Sequence, residues 1–481
     1  MSNSAIALGA LLFLSAAGTF AALDSQPVRE RYLAEAQVTT TTKLPISRDF
    51  QGLSHEWGAA ERIMGSSTST HSVNHAYRQL LSNLTAYGSG PIMIRVGGSS
   101  TDGIRTVNAD TITPFAELAQ ANGCRFALGV NYGKDDLELA KRQSLDYVKY
   151  MPPGSLEAIE IGNEPENYSG DGHRSTQYTF AAYVNSITTW TRELSALLPA
   201  GVTIMGPAWG RLWMLNDLPS YEVKERPFVK LISHHFYAGT RCGDKKNPPD
   251  FLLQPDSSTA GAFAMVPFVD LTHRNGLRFR VGELNSISCA GEAGLSDTFS
   301  ASLWAIDTMF EFARIGVDGV NWHTGAGTPY DAFIFDAIHD ASPTTYRLKS
   351  VRPLYYAMLF FQRATANHSS LIPIETRTHG NVKVWGTLDD SGTIRITIIN
   401  KEDTPGLIAI GLSGYGRGAV ARLTAPSDRS TEGITLAGQT FDSSVDGRPV
   451  GAEVIEQINC KASKYEINVP AFSAAIVTVS R

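Results

Sequence analysis

The feature that most constrains this chain is an alternation that begins near residue 50. Apolar runs of strand length, each ending in Gly or polar residues, are followed by longer helix-like segments. Eight such runs can be counted: Gln51–Trp57, Pro91–Gly97, Arg125–Asn131, Leu156–Gly162, Val202–Pro207, Leu231–Tyr237, Arg278–Glu283 and Val317–His323. Helical segments such as Thr111–Ala121, Asp135–Lys149, Gln177–Leu198 and Asp297–Ile315 lie between them. Strand and helix in alternation imply a parallel sheet. Eight units over about 300 residues fit a closed (β/α)8 barrel. An open doubly wound sheet is the alternative, but no Gly-rich nucleotide fingerprint supports it.

Past the eighth run the pattern changes. Arg352–Arg363 reads as a closing helix. Val382–Thr387, Thr393–Asn400, Gly406–Leu412, Ala419–Thr424, Tyr465–Val469 and Ala474–Val479 then read as short strands with Gly, Asp and Ser in the turns. The expected order is therefore a barrel over residues 51–350 and an all-β sandwich, with the closing helix, over 351–481. Residues 23–50 are either a leader or a strand of the later sheet. Residues 1–22 hold an uncharged apolar run ending in small residues, which reads as a secretory signal peptide. Export is then expected, with no membrane association after its removal. The net charge of −6 argues against a nucleic acid partner.

The four cysteines form no CxxC pair, which argues against a zinc or iron–sulfur site. Cys242 and Cys289 follow the adjacent sixth and seventh strands and are the favoured disulfide. Asn83, Asn167 and Asn367 open glycosylation sequons.

A parallel barrel places its chemistry just after its strands. Pro165 cannot donate to a sheet ladder, so the fourth strand stops there and leaves Glu164 at its carboxyl end. The seventh strand ends in Glu283. Two carboxyl groups on opposite sides of one cleft are what glycoside hydrolysis needs: a protonated one to release the leaving oxygen, an ionised one to attack the anomeric carbon. Glu164 is assigned as acid/base and Glu283 as nucleophile. Asn163 can bond the hydroxyl beside the reacting carbon. Arg95 and Tyr237 can donate to Glu283 and hold it ionised. Trp322 can offer a face to the sugar or pack in the core. Glu160 and Glu166 are poorer candidates, one within the strand and one past the proline.

The segments Arg95-Val96-Gly97-Gly98-Ser99-Ser100-Thr101-Asp102, Ile161-Gly162-Asn163-Glu164-Pro165, Ser233-His234-His235-Phe236-Tyr237 and Gly282-Glu283-Leu284-Asn285-Ser286-Ile287-Ser288-Cys289 occur in this order. Together they resemble glycoside hydrolase family 79, the β-glucuronidases and heparanases within the retaining (β/α)8 clan. The resemblance implies a β-linked glucuronic acid substrate, retention of configuration, and neither metal nor organic cofactor. It further implies that the uronate carboxylate is read by Tyr330 and by backbone amides of the Ser288-Cys289-Ala290-Gly291 loop, which a Cys242–Cys289 bridge would fix. Glu56 and Asp102 would then bind ring hydroxyls, with strand-end capping as the alternative. An endo-acting relative would favour clustered cations, and Lys245-Lys246 is the clearest cluster. A β-xylosidase-like specificity, or a non-catalytic carbohydrate-binding protein on the same fold, are further readings.

Overall fold

The structure is a computed structural model and describes residues 32–68, 72–103, 107–339 and 343–480. The expected signal peptide at 1–22 lies outside the described residues. Among the described residues, no helix is long and apolar enough to cross a membrane.

Eight parallel strands close into a barrel: β1 (Gln51–Glu56), β2 (Met93–Gly97), β3 (Arg125–Val130), β4 (Leu156–Ile161), β5 (Thr203–Trp209), β6 (Val229–Thr240), β7 (Arg278–Ser288) and β8 (Gly319–His323). Each pairs with its neighbours in sequence, and β8 pairs with β1. The strands are almost wholly buried because both faces are covered, and their outward positions are mostly apolar. Outward residues such as Ile94, Phe126, Leu128, Ile159 and Ile161 pack under the surrounding helices. Inside, Met93, Ala127, Ala158, Met205 and Leu231 form a separate apolar plug near the bottom. Burial of each of Met93, Met205 and Leu231 contributes about 1.5–3 kcal/mol. The next inward positions along the same strands are Arg95, Glu160 and Ser233, so the plug is a floor for a polar layer.

Two features depart from the expected pattern. Strands β6 and β7 run on well beyond the barrel and pair as far as Thr240 with Ser288. A hairpin of Phe333–Ile338 and Thr345–Val351 follows β8. A helix, Pro353–Ala364, then leads into the β-rich part.

That part is a sandwich of two sheets. One sheet has the order Ile374–Thr378, Ala34–Val38, Gly406–Gly411, Lys464–Val469. The other includes Arg417–Thr424, Ser473–Val479, Ile394–Asn400 and Val382–Leu388 as neighbours. Ile396, Ile398, Ile408, Ile410, Ile467 and Val477 fill the space between them. The N-terminal segment thus supplies a strand, Ala34–Val38, to the later domain. The two parts meet across the helix Phe299–Arg314. There Trp385 stacks on Phe310, and Lys401 Nζ lies 2.8 Å from Asp307 Oδ2 with both side chains fully buried.

Candidate active site

The polar layer is organised by Arg95. Its buried guanidinium donates to Glu160 Oε2 (2.5 Å), Ser54 Oγ (3.0 Å), Glu283 Oε2 (2.8 Å) and Asn163 Oδ1 (2.8 Å). Glu160, also held by Ser233 Oγ at 3.0 Å, supplies the charge that lets a cation sit in the barrel interior. Arg95 in turn sets both the Glu283 carboxylate and the Asn163 amide. With Oδ1 of Asn163 fixed as acceptor, its Nδ2 is left as the donor toward the cleft.

Glu283 reaches the interior through a bulge. The pairing of β6 with β7 shifts between His234 and His235, so Gly282 is skipped and Glu283 turns inward beside His235. Gly282 is needed there, because a Cβ would stand 2.3 Å from Ser233 Oγ. The second oxygen of Glu283 accepts from Tyr237 Oη at 2.7 Å. Burial alone would raise the Glu283 pKa. The imidazoles of His323 and His235, the Arg95 guanidinium and the Tyr237 hydroxyl overcome this and hold it well below the usual carboxylate range.

Glu164 sits in a left-handed backbone conformation (φ 47°, ψ 57°) at the end of β4, and its N–H donates to Ala208 O at 3.0 Å. Such a conformation is strained for a residue with a Cβ. Its carboxylate meets His235 Nδ1 (2.9 Å) and accepts from Asn167 Nδ2 (3.0 Å). Burial lowers the His235 pKa, but the charge of Glu283 and the contact with Glu164 turn the net shift upward. Carboxylate oxygens of Glu164 and Glu283 and a His235 nitrogen all lie within 4.8 Å of one another. A cation fits this cluster poorly, because Arg95 and Tyr237 already occupy the two oxygens of Glu283.

The structure therefore brings Arg95, Asn163, Glu164, Tyr237 and Glu283 together. Tyr330 joins them, its ring centroid 6.1 Å from those of Tyr237 and His323. The Ser288–Gly291 turn adjoins Tyr330, since a Cβ on Gly291 would lie 3.0 Å from its ring. Cys289, Ala290 and Gly291 all have positive φ, and Cys289 is disulfide-bonded to Cys242. Within that turn, however, Gly291 N–H is used by Ile287 O and Ser288 Oγ by Thr240 Oγ1.

Other expected residues play different parts. Trp322 is fully buried on the outer face of β8, edge-on to Trp304 at 5.7 Å, so it offers no face to a sugar. Glu56 accepts from the N–H groups of Ser99 and Ser100 and caps the turn after β2. Asp102 is buried and spends both oxygens on Tyr132 N, Gly133 N, Asn163 N and Tyr168 Oη. It fixes the Asn163 backbone and does not bind ring hydroxyls. Two sequons are engaged in the fold: Asn167 Nδ2 bonds Glu164, and Asn83 Nδ2 bonds Gly447 O at 2.7 Å. A glycan on either would break these contacts, and only Asn367 of the three is exposed.

Three groups had been given no part in the chemistry beforehand. His235 and His323 both face Glu283, and their side chains share the inward face of their strands with Tyr237 and Asn321. Asn167 is held by Arg211, whose Nε and Nη2 donate to its Oδ1 at 3.1 and 2.8 Å.

Residues 381–476 match the glycosyl hydrolase family 79 C-terminal beta domain. Over that segment, about a fifth of its length, the chain is similar to glycoside hydrolase family 79. A β-glucuronidase of Aspergillus niger is 24% identical over 336 residues, which span 61% of this chain and 62% of that protein. One of Neurospora crassa is 24% identical over 241 residues, covering 45% and 43%. Among solved structures, a 4-O-α-L-rhamnosyl-β-D-glucuronidase of Fusarium oxysporum superposes with a TM-score of 0.74 at 21% identity, covering 92% of this chain and 100% of that one. A GH51 arabinofuranosidase of Xanthomonas axonopodis pv. citri gives 0.68 at 13% identity, covering 94% of this chain and 100% of that one. The barrel-plus-sandwich fold of this chain is thus shared with solved proteins of several specificities.

Proposed function

We propose that the protein is a retaining β-glucuronidase that removes terminal β-linked glucuronic acid by double displacement. The observation that carries this is the pair of carboxylates with one oxygen of each within 4.8 Å of the other, one held ionised by Arg95 and Tyr237, the other contacting His235 and Asn167. Retaining enzymes hold their carboxyl groups about 5–5.5 Å apart, whereas inverting ones leave room for a water between them.

Glu283 attacks the anomeric carbon as Glu164 gives its proton to the departing oxygen. Asn163 Nδ2 donates to the neighbouring ring hydroxyl. In the second half, Glu164 takes a proton from water as it attacks the glycosyl–Glu283 ester. Tyr330 and the adjoining disulfide-braced turn are the groups for the uronate carboxylate, with the Arg241 guanidinium donating to Gly291 O at 3.0 Å beside them. Export is part of the same reading: the apolar N-terminal run and a disulfide both suit an oxidising compartment.

The test is release of 4-nitrophenol from its β-glucuronide, β-glucoside, β-xyloside and α-L-arabinofuranoside. The glucuronide is preferred by at least about 100-fold, equivalent to ~2.7 kcal/mol of discrimination. Equal or better use of any neutral glycoside refutes the uronate assignment.

A further inference from the structure

We propose that Arg211, Trp213 and the cavity beneath them form a leaving-group subsite that takes a saccharide ring. The proposal rests on the glucuronidase reading and names the chemistry on the other side of the scissile bond.

The leaving oxygen must lie within reach of the Glu164 proton, so the leaving group emerges on the Glu164 side, away from Glu283. The segment after β5 is tied to that side. Gly210 N–H and Arg211 N–H both donate to Glu166 Oε1, at 2.6 and 3.1 Å. The Arg211 guanidinium bonds Asn167, which bonds Glu164. Two residues on, Trp213 is 60% exposed, with Leu212 38% exposed beside it. Trp57, Trp190, Trp209, Trp304 and Trp322 are all buried, so an indole left in solvent three residues past Gly210, which itself lies against Glu164, stands apart. Sugar rings present C–H faces that pack on such a surface, while their edges hydrogen-bond.

Below Trp213 is a cavity of ≈ 100 Å³ lined by Pro165, Glu166, Tyr178, Phe180 and Trp209 among others. Two buried polar atoms of these residues have no partner: Glu166 Oε2, an acceptor, and Trp209 Nε1, a donor. Unpaired buried polar atoms are costly. A sugar hydroxyl both donates and accepts, whereas an aryl leaving group satisfies neither. The cavity suits a hydroxyl-bearing edge of a ring stacked on Trp213.

The experiment compares kcat/KM for disaccharides of β-glucuronic acid linked to glucose, galactose or xylose with that for β-glucuronosyl fluoride, whose leaving group reaches no subsite. Trp213→Ala lowers the ratio of the best disaccharide to the fluoride at least tenfold, chiefly through KM, and Trp213→Phe restores most of it. Trp213 is exposed enough that unfolding midpoints of both variants stay near wild type. A ratio that falls less than tenfold, or a wild type that cleaves the fluoride but no disaccharide, overturns the subsite and leaves the glucuronidase reading intact. A wild type inactive on both overturns the two together.

Discussion

Gly210→Ala tests whether the acid/base is placed by its surroundings. Gly210 does not need a left-handed backbone, and its N–H to Glu166 survives in alanine. The new methyl, however, would stand 2.3 Å from Glu164 Oε1 and 2.5 Å from its carboxyl carbon. Relief to ordinary contact needs a shift of about 1 Å, and misplacing a reacting group by that much costs about 100-fold, or ~2.7 kcal/mol of barrier. The loss falls on proton donation, so it depends on the leaving group. On phenyl β-glucuronide, which needs the proton, kcat/KM drops about 100-fold. On 2,4-dinitrophenyl β-glucuronide, which leaves without it, the drop stays under about tenfold. Because kcat/KM reports only the step that forms the glycosyl-enzyme, the later role of Glu164 as base does not enter. Equal losses on both substrates, or a large fall in the thermal midpoint, would refute the placement argument.

Two further outcomes concern stability. His234 is fully buried with neither ring nitrogen paired, and burial pushes its pKa down from 6.5 to about 3. The unfolded chain binds this proton below pH 6.5 and the folded one does not, so stability is whole above pH 6.5 and falls by about 1.4 kcal/mol per unit as pH drops toward 3. Denaturant midpoints of His234→Leu show a correspondingly flatter acid slope than wild type. Lys401→Met strands the buried Asp307 carboxylate and lowers unfolding free energy by about 3–5 kcal/mol, and adding Asp307→Asn recovers most of it in a double-mutant cycle.

The barrel was legible because eight strand-length runs with mostly apolar outward positions alternate with helical segments, a signal that survives without knowing the register. Glu164 was legible because Pro165 ends its strand. The side-chain assignments that changed are those where facing matters. On β8, Asn321 and His323 point inward and Trp322 outward, and on β6 Ser233, His235 and Tyr237 share the inner face while His234 does not. Strict alternation along both strands would have promoted His235 and His323 and removed Trp322. The same rule would have mistaken Glu283, which faces inward only because Gly282 is bulged out of register. That position was found because it ends the seventh apolar run, a strand-end argument that does not depend on which face the side chain takes. Asp102 and Glu56 looked like ligands because they are carboxylates at a strand end. Backbone N–H groups claim them first, and nothing in the sequence marks that commitment. Asn167 read as a sequon because the triplet is local, whereas its bond to Glu164 and its clamp by Arg211 depend on how two loops meet.

The central claim is that Glu283 forms the covalent bond to the sugar and Glu164 moves the proton. The most direct measurement is trapping with 2-deoxy-2-fluoro-β-glucuronosyl fluoride, which slows release of the intermediate, followed by peptide mass mapping. The account predicts one adduct, on Glu283, formed faster than it decays and absent in Glu283→Gln. An adduct on Glu164, or turnover of the reagent with no adduct and with inverted configuration at the anomeric carbon, would contradict it.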